Sequence, residues 1–188
     1  MYAALLPSVD SAVQTFLVAH RDSWQTTGAR TLTWAGSIVV VAPVVLAVAW
    51  WVVAHGRSSR VALILAAALA GAVVTSNALK VIVDRPRPPA ATSVADAAGS
   101  SFPSGHTVNA VAGYGLAAFA LGGSWRSRLR WAAWGLAGVM AMVVAYTRLY
   151  LGVHWLTDVL GGAALGAAWV GIGVALLRTR TGGATAPT

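Results

Sequence analysis

A histidine, an aspartate and an arginine lie close together between positions 146 and 158, in a chain with only five acidic residues. His154 and Asp158 are four positions apart, so on a helix their side chains share one face and are one turn apart. Arg148 precedes them, beyond Gly152. A histidine held by a carboxylate beside a guanidinium group is suited to attacking an anionic substrate.

Two further cations flank the start of a proline-rich segment. Lys80 lies near the end of an apolar run, and Arg87 belongs to the sequence Asp-Arg-Pro-Arg-Pro-Pro at positions 84–89. Each has a simpler explanation, because Lys80 could extend its amine from a helix end toward water and Arg87 could be solvated in a loop.

The segment 101–106 reads Ser-Phe-Pro-Ser-Gly-His and leads directly into another apolar run. Proline near a helix start, followed by small residues, leaves backbone N–H groups at the positive end of the helix dipole, where phosphate commonly binds. Ser104 adds a hydroxyl group, and Gly105 lets a ligand approach the backbone. Helix capping alone would also explain the pattern. His106 places a second histidine beside this anion site.

The composition indicates an integral membrane protein. Hydrophobic residues make up 57% of the 188 residues and charged residues 10%, whereas about a quarter is charged in soluble domains; the mean hydropathy is +0.71. The net charge of +8 is explained by arginines that set membrane topology, and without a dense basic tract it does not indicate a nucleic-acid partner. The absence of cysteine excludes disulfides and thiolate metal sites.

Five apolar runs approach or exceed the length of about 17–25 residues that crosses a bilayer. They are residues 32–54, 61–83, 105–121, 131–146 and 155–177, of which the fourth is marginal. Residues 1–22 are a weak span interrupted by polar side chains, and the pattern from Val9 to Val18 fits an interfacial amphipathic helix with Asp10 near its start, although a sixth span is an alternative. We therefore predict an all-α membrane bundle of five to six transmembrane helices, with one domain over residues 1–180 and a disordered tail over 181–188.

The connections between these runs differ in charge. One set contains arginines and no acid, and should be cytoplasmic by the positive-inside rule: Arg57, Arg60, Arg126, Arg128, Arg130, Arg178 and Arg180. The other connections also contain arginines, and every aspartate in the chain lies near them: Arg21, Arg30, Arg85, Arg87 and Arg148. The N-terminus, the 84–104 segment and the 147–154 connection should therefore face outward, which places the charged motifs on the extracytoplasmic side of a plasma membrane.

Together, the three motifs resemble the signature of the type-2 phosphatidic acid phosphatase superfamily. The matching parts are Lys80-x6-Arg87-Pro88, Pro103-Ser104-Gly105-His106 and Arg148-x5-His154-x3-Asp158, and the resemblance covers about residues 80–160. Two features depart from the pattern. Thr147 stands where the family usually has serine, which preserves a hydroxyl group, and the first span of the six-span bacterial members is shortened or missing.

The resemblance implies a role for each motif residue. His154 would be the nucleophile that forms a phosphohistidine, Asp158 would orient its ring, and His106 would protonate the leaving oxygen and then activate water. The phosphate oxygens would be bound by the cations Lys80, Arg87 and Arg148 and by the backbone amides of Ser104 and Gly105. With this many cationic groups and no cluster of carboxylates, we expect neither a metal nor another cofactor.

The predicted function is hydrolysis of a membrane lipid phosphate or diphosphate, because an interfacial site can take a phosphate headgroup whose tail stays in the bilayer. Polyprenyl diphosphate, phosphatidylglycerophosphate and phosphatidate are the candidate substrates. A phosphotransferase with the same intermediate is the close alternative. A transporter for anions or lipids would leave the spacing of His154 and Asp158 unexplained. The oligomeric state stays open, because the small-residue face at Gly162 and Gly166 could pack within or between chains.

Overall fold

The computed structural model describes residues 2–122 and 127–179, and within these ranges the chain is helical and contains no strand. The α-helices are α1 Tyr2–Ala19, α2 Ser23–Leu32, α3 Ile38–Ala54, α4 Ser59–Val83, α5 Gly105–Gly122, α6 Ser127–Tyr150 and α7 Leu156–Arg178. Short 3-10 helices occupy Thr33–Gly36 and Ala90–Thr92. The predicted tail, residues 181–188, lies outside the described residues, as do Arg126 and Arg180 of the predicted cytoplasmic set.

The predicted apolar runs correspond to helices α3 to α7, but fewer of these helices meet the length and hydropathy of a membrane span. Helices α4, α6 and α7 do so, and α2 with its 3-10 extension would count with α3 as a fourth span, bent by 47°. The predicted number of five to six spans is therefore not confirmed. The predicted run 131–146 corresponds to a longer helix, because α6 extends from Ser127 to Tyr150 and so includes Arg148 in its last turn.

Helix α5 is the centre of the bundle. It packs against α3, α4, α6 and α7, and Val108, Ala112 and Leu116 are fully buried in the main core. A helix enclosed by protein needs no apolar surface for lipid. Helix α7 approaches it closely because Gly162 and Gly166 face α5 without side chains, so this small-residue face packs within the chain.

Apolar side chains on the outer surface are consistent with a lipid environment. Val81 and Ile82 on α4 are 80% and 77% exposed. Helix α1 shows the same inverted pattern, because Asp10 and Gln14 are buried whereas Val9 and Phe16 are exposed. The predicted position of Asp10 near the start of a surface helix is wrong: α1 begins at Tyr2, and Asp10 lies at mid-helix on its inner face.

Helix ends and the long 84–104 segment meet at one end of the bundle. Helix α4 ends at Val83, and the left-handed backbone of Asp84 (φ 40°) turns the chain into this segment. The segment then reaches the α6–α7 connection, where the Val94 N–H donates to the Leu151 carbonyl at 3.0 Å. Arg30 on α2 donates to the Val94 carbonyl through Nε and Nη2. The three predicted motifs are therefore held at the same end of the molecule.

Candidate active site

A cavity of about 1020 Å³ opens at this end of the bundle. Arg87 from the 84–104 segment, His106 from the first turn of α5 and Arg148 from the last turn of α6 all line it. The structure thus brings residues of all three sequence motifs to one cavity.

In the connection between α6 and α7, His154 directly follows Val153, which lines the cavity. His154 is 2% exposed and Asp158 is fully buried. His154 Nδ1 lies 3.5 Å from Asp158 Oδ2, close enough for charge pairing but long for a hydrogen bond, and Nδ1 has no hydrogen-bond partner in the described part of the chain. Asp158 Oδ2 also accepts from the Trp155 backbone N–H at 2.8 Å. Asp158 therefore both caps α7 and faces the histidine.

The opposite nitrogen of His154 faces a cation. Arg87 Nη1 lies 3.4 Å from His154 Nε2, and because a guanidinium can only donate, this approach favours a lone pair on Nε2 and a proton on Nδ1. Burial is the main reason that the pKa of His154 is lowered to about 4. The positive charges of Arg148 and Arg87 also lower this pKa, whereas the Asp158 carboxylate raises it. The imidazole is therefore neutral at physiological pH, as a nucleophile must be.

Backbone carbonyl groups hold Arg87 in place. Its Nη1 donates to the Val153 carbonyl at 2.7 Å, beside the histidine. Its Nε and Nη2 donate to the carbonyls of Gly99 and Ala98, both at 2.9 Å. These bonds fix the direction of the guanidinium but do not neutralise it, and burial lowers the pKa of Arg87.

Lys80 and Arg148 are also held by uncharged oxygen atoms, a backbone carbonyl and a hydroxyl group respectively. Lys80 Nζ donates to the Ser100 carbonyl at 2.9 Å, and Arg87 Nη2 donates to the same oxygen at 3.2 Å. Arg148 is 6% exposed, its Nη1 donates to Thr33 Oγ1 at 2.9 Å, and its buried Nε has no partner. In the described parts of the chain, none of these three cations lies within salt-bridge distance of a carboxylate. The arrangement therefore has an excess of positive charge that suits an anionic ligand.

The start of α5 leaves only one of the two predicted backbone donors, the Gly105 amide, available to a ligand. Ser104 is fully buried, and its backbone N–H donates to the Asp158 carbonyl at 3.0 Å, which leaves its side chain as the available donor. Thr107 Oγ1 donates to Ser104 Oγ at 3.1 Å, so the serine proton can point elsewhere. Gly105 faces Lys80 and Ser76, and a Cβ there would lie 3.9 Å from Lys80 Cε and from Ser76 Oγ. The predicted pair of phosphate-binding amides is thus reduced to the Gly105 amide.

Sequence reasoning missed the polar groups behind the site. Arg85 Nη1 donates to Asp158 Oδ1, and its Nη2 donates to Asp10 Oδ2, both at 2.6 Å. Although burial opposes the charged form, these two carboxylates raise the pKa of Arg85. The sequence signal that could have indicated this contact was Asp10 itself, an aspartate within an apolar N-terminal segment of a chain that has few acidic residues. No group of three or more potential His, Asp or Glu metal ligands occurs in residues 2–122 and 127–179.

Comparison with known proteins agrees with this geometry. Residues 61–181 match the PAP2 superfamily. Phosphatidylglycerophosphatase B of Bacillus subtilis (strain 168) is 30% identical over 161 residues, which cover 85% of this chain and 78% of that protein.

Two solved structures share the fold. A transmembrane PAP2-type phosphatidylglycerolphosphate phosphatase from Bacillus subtilis superposes with a TM-score of 0.86 at 27% identity, covering 94% of this chain and 90% of that chain. Aquifex aeolicus LpxE gives a TM-score of 0.69 at 21% identity, covering 87% and 93%. The family match spans well over half of the chain and includes all three motifs, and on this basis the protein belongs to the PAP2 superfamily.

Proposed function

We propose that this protein is a membrane lipid phosphatase that acts through a phosphohistidine, with phosphatidylglycerophosphate as the first candidate substrate. The observation that carries the proposal is a buried, neutral His154 whose Nε2 faces Arg87, at a site where Lys80, Arg87 and Arg148 have no carboxylate partner among the residues that the structure describes. The relatives from Bacillus subtilis support the choice of substrate. Polyprenyl diphosphate and phosphatidate are the next candidates.

In the first step, the lone pair of His154 Nε2 attacks phosphorus. A P–N bond forms while the P–O bond to the lipid breaks, and the leaving oxygen keeps the bonding electrons and takes a proton from His106. The Nδ1 proton stays on the ring, which becomes cationic and is stabilised by Asp158. The dephosphorylated lipid then leaves through the bilayer.

In the second step, water attacks the phosphohistidine. His106 takes a proton from the water as the new P–O bond forms, and the P–N bond breaks to release inorganic phosphate and neutral His154. In both steps the non-bridging oxygens are bound by the cations Lys80, Arg87 and Arg148 and by Ser104 Oγ and the Gly105 amide. These groups supply the charge stabilisation that a metal ion provides in other phosphatases, so we propose that neither metal nor cofactor is needed.

We place the cavity at the extracytoplasmic face of the plasma membrane, within a single catalytic domain over residues 1–180. The charge difference between the connections supports this orientation. At that face a phosphate headgroup can enter the cavity while the acyl or prenyl tail remains in lipid beside α4, whose outer surface is apolar.

The purified protein should release phosphate from at least one long-chain lipid phosphate in the presence of EDTA. We would assay phosphatidylglycerophosphate, polyprenyl diphosphate and phosphatidate in parallel. His154→Ala should abolish turnover, whereas His55→Ala should not, because His55 is an exposed residue that follows α3 and hydrogen-bonds to the Trp51 carbonyl, away from the site. Absence of phosphate release from all three lipids, or near-normal activity of His154→Ala, would overturn the assignment.

The phosphotransferase alternative differs only in the second step. Offering an alcohol or lipid acceptor and measuring phosphorylated acceptor against inorganic phosphate separates the two reactions. A hydrolase gives inorganic phosphate as the main product at every acceptor concentration. A transporter, by contrast, would move substrate across liposome membranes without releasing phosphate.

A further inference from the structure

Asp10 is a buried carboxylate on a helix that the sequence motifs do not include. It is 2% exposed and lies on the inner face of α1, one turn before the buried Gln14. An ionised carboxylate in such a place is costly unless it is paired and hydrogen-bonded. The position of Asp10 therefore has to be explained by its partners.

Those partners belong to two elements of the active site. Asp10 Oδ2 accepts from Arg85 Nη2 at 2.6 Å and from Thr157 Oγ1 at 2.7 Å. Asp10 Oδ1 accepts from the Thr157 backbone N–H at 3.0 Å, in the first turn of α7. Within the described residues, the bonds of this carboxylate thus go to the proline-rich segment and to the turn that carries Asp158.

Arg85 connects Asp10 to Asp158, the partner of His154 in the proposed catalytic pair. Its Nη1 donates to Asp158 Oδ1 at 2.6 Å and to Thr157 Oγ1 at 2.5 Å. Because Oδ1 is taken by Arg85, the other oxygen of Asp158 faces the Trp155 backbone N–H and His154 Nδ1. Arg85, which bonds to the oxygen that does not face His154, therefore fixes the rotation of the Asp158 carboxylate.

We propose that Asp10 and Arg85 are positioning residues for this site, acting through Asp158 to hold the Nδ1–H tautomer and ring direction of His154. The proposal rests on the function proposed above. The charges of these groups also contribute. One guanidinium, of Arg85, lies between the carboxylates of Asp10 and Asp158, so the three groups together leave a net negative charge behind the histidine. Without Asp10, Arg85 would neutralise Asp158 more fully, and the cationic phosphohistidine would be stabilised less.

The central experiment replaces Asp10 by asparagine, which keeps the size and an oxygen for the Thr157 N–H. We expect kcat of Asp10→Asn to fall by about 10- to 100-fold, a loss typical of a displaced catalytic group, with KM nearly unchanged because the phosphate-binding cations are untouched. Asp22→Asn is the matched control and should leave kcat unchanged, since the exposed Asp22 side chain accepts from Gln25 and, within the described residues, has no bond to the site. Wild-type kcat in Asp10→Asn would overturn the proposal.

Arg85→Lys distinguishes bridging from charge alone. Lysine keeps the positive charge but lacks the two-pronged guanidinium that reaches both carboxylates, so we expect its kcat to fall as in Asp10→Asn. Restoration of wild-type kcat by lysine would contradict the bridging role. Thermal unfolding in detergent should show both variants folded at the assay temperature.

A readout that does not need turnover separates this proposal from the function. ¹⁵N chemical shifts of the His154 ring report its tautomer directly. We expect a single Nδ1–H tautomer in the wild type and a mixture in Asp10→Asn, even if no tested lipid is a substrate. Identical ring shifts in the two proteins would contradict positioning by Asp10, whereas an inactive wild type with the expected shifts would count against the proposed function alone.

Discussion

Arg85 and Arg87 are two residues apart in the chain but have opposite electrostatic surroundings. Arg85 bonds to the carboxylates of Asp10 and Asp158, whereas Arg87 bonds to backbone carbonyls and approaches His154. A buried guanidinium without a counter-charge is stabilised when an anion binds. Of these two arginines, Arg87 is therefore the one available to a phosphate group, and Arg85 belongs to the support behind the histidine.

The pKa of His154 gives a prediction about pH dependence. The pKa is lowered to about 4, with burial as the largest cause and Arg87 as one of the contributing charges. Activity that needs neutral His154 should persist well below pH 6 and be lost as the pH falls through about 4. Replacing Arg87 by glutamine removes a charge that lowers this pKa, so the acid limb of kcat/KM should move to higher pH.

The measurement is the pH profile of kcat/KM for the wild type and Arg87→Gln, since this ratio reports groups of the unliganded enzyme. Ionisation of the lipid phosphate is common to both profiles and cancels in their difference. Arg60→Gln is the control: Arg60 lies in the first turn of α4, at the opposite end of that helix from Lys80, and bonds to the Leu176 carbonyl. An acid limb that stays in place or moves to lower pH in Arg87→Gln would contradict the assignment of His154.

At the scale of elements, the α6–α7 connection depends on one glycine. Gly152 has φ +74°, and a Cβ there would lie 2.5 Å from the Thr92 carbonyl oxygen and 2.7 Å from Arg21 Nη2. Gly152→Ala should therefore destabilise the fold by about 1–3 kcal/mol and displace His154, which lies two residues further on. Thermal unfolding and kcat should both decrease.

Gly138→Ala provides the matched control for this substitution. Gly138 lies inside α6, with no atom within 4 Å of a Cβ placed on it, and alanine favours a helix by about 0.5–1 kcal/mol over glycine. It should leave stability and kcat at or above wild-type values. Equal losses in both variants would show that the strain at Gly152 is not the cause.

The sequence predicted the helices around the motifs well, because apolar runs and local spacing are local signals. It also predicted which motif residues meet: the spacing of His154 and Asp158 matches their pairing across the first turn of α7. The contact between Asp10 and Arg85 spans 75 positions and depends on how α1 packs, which no local pattern encodes. The bend between α2 and α3 was missed for the same reason, since the apolar run passes through it without a break.

At the scale of the whole molecule, the proposed site occupies one end of helices that are long enough to separate two aqueous faces. Helix α6 has 24 residues, and at about 1.5 Å per residue it extends about 36 Å, compared with a hydrocarbon thickness of about 30 Å. Residues 84–104 and 151–155 lie at the end where α6 finishes, and the start of α6 lies at the other. If the molecule spans the bilayer, the site can be reached from one face only.

Which face this is can be tested directly, because the chain has no cysteine of its own. Single substitutions Ser93→Cys and Ser127→Cys place a thiol in the 84–104 segment and at the start of α6. In intact cells an impermeant thiol reagent should label the first variant and not the second, since the basic connections are expected to be cytoplasmic. Both should react once the membrane is permeabilised, which shows that each thiol is accessible. The reverse labelling pattern would place the phosphate site in the cytoplasm and would require a substrate headgroup presented on the inner leaflet.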